Sequence, residues 1–377
     1  MSYRIESLVT EQLFGPAMRA TEALVRLDER IARSPVAKGF VERSHFADAA
    51  SSLWLDGDLV HVEDLVLHDA HMDLRAPTHE LTRAHEILRL RRQILSNRPD
   101  WALGREGFSV LCGRGAAPAV PKPQRQVATH QGGDAEEDDD GDDRLSAELA
   151  ALDAALGRAQ AVLDKALAGP QASSDDASRR SEAADEKNPL IYDADWDEPE
   201  RLAEWQAALA ASEGLPALVR AAIAYDAWTA IAPLQHAPWL GRLLVAALLR
   251  QSATTTAHLA ALHVGARTIA RERRFARDRT TRLVAFLDGV YETAAAGMKE
   301  HDRLVLAKAQ MDRRLKGRRS TSRLPEVIAL VLSRPLVSSG MIEKELGVTT
   351  AGALNLIGEL ELREITGRGR YRAWGVI

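Results

Sequence analysis

Few residues of this chain have the type and spacing for chemistry, and their surroundings decide what each can do. His236 stands in the segment APLQHAPW, between Pro233 and Pro238. Each proline removes an amide donor and restricts the residue before it, so this stretch is a rigid loop. An imidazole held in such a loop suits general-base work, taking a proton from a hydroxyl. His68 and His71, with Asp73 close by, have the spacing at which two imidazoles share a helical face and hold a divalent metal. Spacing fixes no third ligand there, and solvated or core-satisfied histidines are the simpler reading. Asp193, Asp195 and Asp197 alternate in a polar stretch that could hold a divalent cation or simply be solvated. Cys112 is the only cysteine, which excludes an internal disulfide and a thiolate metal cage and leaves a small apolar filler. Near the C-terminus Arg363, Arg368, Arg370 and Arg372, with Tyr371, form a compact cationic strip suited to phosphate.

Helices must position these groups. In residues 215–249, Leu218, Ala221, Ala222, Tyr225, Trp228 and Ile231 recur at three- and four-residue spacing, as one face of a core helix does. The period breaks across 232–239 and resumes as GRLLVAALL, apolar nearly all round except for Arg242, which predicts a second, buried helix. Upstream, Leu13, Met18, Ala20, Leu24, Val25 and Leu27 predict a helix over 10–27. Residues 40–55 predict another, whose small residues admit a close neighbour and which Gly57 stops. Thr78 caps a helix running to Leu95, with Leu81, Ala84, His85, Leu88 and Ile94 on one face and Arg89, Arg91 and Arg92 on a solvated one. Between His68 and Asp73 a turn-rich connection is expected.

Residues 215–244 resemble the core of the Fic fold, in which a helix runs into HPFx(D/E)GNGRxxGR and a leucine-rich helix follows. Ile231 and Pro233 stand where Fic has the Ile and Pro of IHPF, and the GRLL of 241–244 matches its closing GRLL. Independently, SLWLDG at 52–57 is similar to the Fic inhibitory-helix motif (S/T)xxxE(G/N), with aspartate for glutamate. The resemblance implies that Asp56 meets Arg242, a contact that in Fic proteins blocks productive nucleotide binding. The departures fall on the reacting positions. Ala232 replaces the Fic histidine, HAPW occupies the acidic-Gly-Asn-Gly segment, and the loop is one residue short. A general base, a metal-holding acid and phosphate-cradling glycine amides are all required for that reaction. The expectation is therefore a Fic-like scaffold without catalysis, cofactor or metal. The alternative is an active nucleotidyltransferase, moving AMP to a protein hydroxyl, with His236 as a displaced base.

The net charge of −5 over 377 residues is concentrated in residues 134–143, whose eight acids, once set aside, leave +3 for the remainder. From Met311 onward twelve Lys or Arg face seven Asp or Glu, which points to a basic C-terminal module. There the pattern becomes a winged helix-turn-helix: PEVIALVLSR, then SSGMIEKELGV with a serine cap at Ser338 or Ser339 and Gly347 at the turn. A third helix, opening on Thr349 and Thr350, buries Ala353, Leu354, Ile357 and Leu360, and a hairpin wing surrounds Gly367. Thr349, Thr350 and Asn355 are the candidates for base contact, and the four arginines for phosphate. The wing also resembles the winged-helix tail of many Fic proteins. Winged helices serve in protein docking too, and that reading stays open.

The expected organisation is an N-terminal helical region with the inhibitory-type helix (1–112), a disordered acidic linker (113–143), a helix and polar linker (144–187), a Fic-like core (188–310), a basic linker (311–323) and a winged helix (324–377). Further bundle helices are expected over 254–269 and 279–298, joined by an arginine-rich connection that could touch nucleic acid or the acidic linker. That linker reads as a solubilising spacer or as a competitor of DNA for the basic module. No apolar run of about 18 residues and no basic-then-apolar leader is present, so a cytoplasmic chain is expected. In fold class the chain is expected to be mainly α, a helical bundle followed by a winged helix-turn-helix with a short β-hairpin wing. Its expected partners are DNA, a second copy in a homodimer, and a nucleotide or protein for the helical body acting as sensor or dimerisation unit.

Overall fold

Apolar residues repeating at helical spacing give a mainly α protein, and the computed structural model describes residues 3, 10–72, 76–113, 196–315, 322–366 and 372–376. One compact unit spans Met1–Ala117 and Asp197–Ile377; of the other, Pro118–Trp196, only Trp196 is described. The acidic run at 134–143, the helix and polar linker expected over 144–187, and Asp73, Asp193 and Asp195 thus lie outside the described residues. Among those described, no helix is long and apolar enough to cross a membrane.

Helix α1 (Thr10–Ala32) buries Leu13, Ala20, Leu24 and Leu27, but Met18 and Val25 are exposed. Each follows a buried residue, Ala17 or Leu24, by one position and so lies about 100° round the helix from the stripe. Helix α2 (Ala37–Asp56) ends where Gly57 turns left-handed at φ 101°. Helix α3 (Val62–Asp69) takes in only the start of the expected turn-rich connection, which follows as a turn at Ala70 and His71, and α4 (His79–Ser96) opens with the Thr78 hydroxyl accepting from the Leu81 amide at 3.2 Å.

Arg91 is a correction. Instead of facing solvent it is fully buried, because it continues the Ala84–Leu88 stripe at i+7 and i+3. Its guanidinium pairs with Asp48 of α2 and donates to the carbonyls of Leu259 (2.9 Å) and Ala260 (3.3 Å). Arg92 likewise is held by Glu42 and Asp69.

After a 3-10 turn (Trp101–Leu103) and α5 (Arg105–Leu111), the chain resumes in α6 (Glu198–Ala211). Asp197 caps α6, accepting from the Glu200 amide at 2.9 Å, and Pro199 sits in the first turn. Helices α7 (Ala217–Ile231) and α8 (Leu240–Gln251) pack at the centre, with α8 buried from Leu240 to Leu249. Of the bundle helix expected over 254–269, only α9 (Leu262–Ala266) forms. Buried carboxylates from other helices hold this segment instead. Asp28 accepts from the amides of Thr256 (2.8 Å) and Ala257 (2.9 Å), and Asp48 from that of His263 (2.7 Å).

Beyond α10 (Arg271–Arg274), α11 (Arg279–Leu315) is 37 residues long rather than ending near Met298, since Leu304 and Met311 continue its buried stripe. The start of the expected basic linker is therefore helix. The arginine-rich segment is largely engaged internally: Arg282 and Arg279 pair with Asp226, Arg273 with Asp288, and Arg267 lies over the Trp54 ring.

The C-terminal segment comprises α12 (Leu324–Ser333), β1 (Val337–Ser338), α13 (Ser339–Leu346), α14 (Thr350–Glu359), β2 (Arg363–Glu364) and β3 (Ala373–Gly375). The sheet runs β1-β3-β2, antiparallel, with Val337 opposite Trp374 and Arg363 opposite Gly375. The sequence pattern had suggested only the outer hairpin.

This module is fastened to the helical body. Buried Arg43 of α2 donates to the carbonyls of Val331 (3.3 Å) and Arg334 at the end of α12, while Arg303 of α11 donates to that of Val376 (2.7 Å). Arg334 pairs with Asp69 at 2.9 Å. Gly39 lets the helices touch, for a Cβ there would come within 2.8 Å of the Leu332 carbonyl oxygen.

The Asp48 site has a pH signature. Burial pushes the His263 imidazole down from 6.5 to about 4 despite the pull of Asp48. Burial alone would raise the Asp48 carboxyl, but Arg91 and His263 outweigh it and bring it from 3.8 to about 2. Between pH 6.5 and 4 the unfolded chain binds a proton at residue 263 that the folded chain refuses, so stability falls as pH is lowered through that window. Protonation of Asp48 continues the loss in the same direction between 3.8 and 2. In His263→Asn the amide nitrogen can replace the Nδ1 donor without titrating. Its urea midpoint should vary less with pH between 6.5 and 4 than that of the wild type; an equal slope would refute the assignment.

Candidate functional site

In the helical body, α7 ends because Ala232 adopts a left-handed conformation at φ 48°, its amide still closing onto the Trp228 carbonyl at 2.8 Å. Pro233 then leads into a non-helical loop whose Leu234, Ala237 and Trp239 are buried. The Trp228 indole ties the loop's far end by donating to the Pro238 carbonyl at 3.2 Å. His236 and Pro238 are exposed, and the His236 Nδ1 lies 3.7 Å from a Glu198 carboxylate oxygen. Position 232, where the resemblance places the Fic base, carries only a methyl group.

Arg242, in the first turn of α8, is buried. It donates to the Tyr225 hydroxyl at 2.6 Å and lies 5.6 Å from the Tyr225 ring centre, and that ring stacks on Phe286. Its other terminal nitrogen is 4.0 Å from Asp56. Asp56 is closer to Arg83, at 3.3 Å, and Arg83 also holds Asp58 at 3.0 Å. The two charges singled out in the sequence are thus brought together as one edge of a wider cluster, while Tyr225 is the nearer partner of Arg242. Burial raises the Asp56 carboxyl despite Arg242 and Arg83, as expected where desolvation exceeds attraction across such gaps. The cavity beside Arg242, lined also by Tyr225, Arg274 and Arg282, has a volume of about 30 Å³. That is room for about one water, against several hundred Å³ in ordinary small-molecule sites.

Neighbouring histidines are committed elsewhere. His68 meets His85 edge-on at 4.8 Å, and Asp69 is taken by Arg92, Arg334 and His85. Among the described residues no group of three or more His, Cys, Asp or Glu could hold a metal ion.

In the C-terminal module the local chemistry of the helix-turn-helix is explicit. The Ser338 hydroxyl caps α13 by accepting from the Met341 amide at 3.2 Å. Gly347 turns left-handed at φ 64°, and the Thr349 hydroxyl caps α14 by accepting from the Gly352 amide at 3.2 Å. Thr349 is therefore partly spent on its own helix. Ala353, Ile357 and Leu360 pack inward at i, i+4 and i+7, whereas Leu354, expected with them, is exposed. It shares the outward face with Thr350, Ala351, Asn355 and Gly358. Position 354 follows the stripe residue 353 by one, the same signal that separates Met18 from its neighbours.

Of the cationic strip, Arg363 is exposed on β2. Arg372 packs over the Trp374 ring at 5.2 Å and pairs with Glu364 at 2.7 Å, so part of its charge is already met. Arg368, Arg370 and Tyr371 lie outside the described residues.

Residues 190–316 match the family described as "Protein of unknown function (DUF1612)", and residues 324–377 match the family described as "HTH DNA binding domain". Neither description is that of Fic, and the Fic resemblance stands as a likeness of short motifs. Across 386 aligned residues the chain is 48% identical to the "Uncharacterized protein y4cF" of Sinorhizobium fredii, with the full length of both proteins covered. Identity at that level from end to end means that the chain belongs to the same family as y4cF, one that joins a DUF1612 region to a C-terminal helix-turn-helix.

Proposed function

We propose that the protein is a sequence-selective DNA-binding regulator whose helical body is a non-catalytic, Fic-like scaffold that holds and orients the winged helix. The observation that carries this is the exposed face of α14, capped by Thr349 and packed inward on Ala353 and Ile357, in a segment matching an HTH DNA binding domain. Residues at the start of such a helix reach base edges in the major groove. Thr350 and Asn355 supply hydrogen bonds there, and Leu354 supplies an apolar contact of the kind that meets a thymine methyl. Arg363, Arg368, Arg370 and Arg372 supply phosphate contacts.

The body supports the scaffold reading rather than the nucleotidyltransferase one. Ala232 offers no base, and the cavity beside Arg242 is far smaller than a nucleotide. Asp56, Arg83, Arg242 and Tyr225 serve there as a structural cluster. Because α14 contains no Lys or Arg, one copy would grip phosphate weakly, and binding as a homodimer to paired half-sites is part of the proposal.

Thr350→Ala and Asn355→Ala should each reduce binding to a selected site by roughly 5- to 150-fold while leaving binding to random DNA little changed. Equal losses on both would remove these residues from base recognition. Arg363→Ala should lower the slope of log affinity against log salt by about 0.9, and Arg372→Ala by less, because Glu364 already neutralises part of its charge. A larger effect at Arg372 would contradict that pairing. Incubation with labelled ATP and Mg²⁺ should leave the protein unlabelled; self-labelling lost in His236→Ala would establish the transferase instead.

A further inference from the structure

The helices of the C-terminal module are poor in cations. Lys344 is the single Lys or Arg of α12, α13 and α14. It lies on the side of α13 turned away from the core, about 200° round the helix from buried Ile342, and Gly340 shares that side one turn earlier. In a helix-turn-helix the first helix of the pair, here α13, crosses the DNA backbone. A Lys ammonium and the amides at a helix N-terminus are the groups that meet phosphate there.

That side of α13 is covered by the helical body. The Lys344 ammonium donates to the Ala70 carbonyl at 3.1 Å, at the end of α3. The Met72 methyl carbon stands 3.3 Å from where a Cβ of residue 340 would lie, and the Ser338 hydroxyl donates to the Met72 sulfur at 3.7 Å. Asp69 holds Arg334, the residue that closes α12, at 2.9 Å. A carbonyl at the negative end of a helix and a carboxylate thus take two cations of the module, as phosphate oxygens would. The covering turn is not a relaxed one. The Met72 amide closes it onto the Leu67 carbonyl at 2.9 Å, but His71 adopts a left-handed conformation at φ 57°, which is costly for a residue with a Cβ.

We propose that the turn at 69–72 is an autoinhibitory contact: it occupies the side of α13 that faces the DNA backbone, so that the turn and a phosphate compete for Lys344 and for the start of α13. The arrangement described is then the closed state, and DNA binding requires the turn to let go of α13. This regulation presupposes the DNA-binding function proposed above; the contact itself does not.

The test measures binding of the full chain to a selected site and to a random duplex by fluorescence anisotropy. Met72→Ala should bind both at least about fivefold more tightly than the wild type, by a common factor, because the released contacts are to phosphate. Met72→Leu, which keeps the cover, should bind as the wild type does, and thermal unfolding should report an intact fold in both variants. A body that only orients the winged helix predicts the reverse, so equal or weaker binding by folded Met72→Ala overturns the autoinhibition. In the Met72→Ala background, Lys344→Ala should lower the slope of log affinity against log salt by about 0.9; an unchanged slope overturns the competition for Lys344. In the wild type, amide hydrogen exchange at 70–72 should become faster when DNA is added. Exchange that is unchanged, or that slows as under a covering duplex, overturns the displacement of the turn. Absence of DNA binding by wild type and Met72→Ala alike sinks the function proposed above, and the regulation with it.

Discussion

The buried carboxylate of Asp48 is the interaction on which the arrangement of the helical body turns. It sits fully out of water on α2 and is met by the guanidinium of Arg91 from α4 and by the amide and ring of His263 at the start of α9. An isolated carboxylate at that depth would cost many kcal/mol, and removal of one partner from such a cluster typically costs about 3–5 kcal/mol. Three elements distant in sequence are thus committed to one geometry. Asp28 does the same between α1 and Thr256, Ala257 and His258. Together these two acids hold the irregular stretch after α8 in place, and that stretch supplies part of the wall of a cavity that Leu27, Phe40 and Val264 also line.

The rigid body has a consequence for the winged helix. In many proteins such a module hangs on a linker, and its orientation is averaged. Here Arg43, Arg303 and the Arg334–Asp69 pair reach across from helices of the body, and Gly39 lets α2 and α12 approach to backbone contact. Long guanidiniums suit this task because one side chain can satisfy several carbonyls left over at a helix end. Anything that displaces α2 or α11 is therefore felt at the module that carries α14.

Between the apolar helices α7 and α8 the connecting loop is mostly a packing element. Leu234, Ala237 and Trp239 turn inward, and the Trp228 indole closes on Pro238. Arg242 rests on Tyr225 rather than reaching into an open site. A loop whose side chains are spent on the core presents little to a substrate.

Local pattern by itself determined much of this. Helix existence, the caps at Thr78, Ser338 and Thr349, the left-handed Gly57 and Gly347, and the exposed Thr350 and Asn355 follow from spacing and from hydrogen bonds between residues three or four apart. Elsewhere a long-range partner overrides a local rule. The charge of Arg91 points to solvent while its position in the stripe points inward, and Asp48, 43 residues away, with the carbonyls of Leu259 and Ala260, makes its burial tolerable. The 254–261 stretch has helical composition, but Asp28, from another helix, competes for its amides at Thr256 and Ala257. Strand β1 exists only because β3 returns beside it. The cavity at His258 had no sequence signal at all, since its walls come from α1, α2, α11 and the winged helix and meet only in the folded chain. Short-range hydrogen bonding and periodicity are properties of a segment, whereas desolvation, pairing and enclosed volume are properties of the assembled fold.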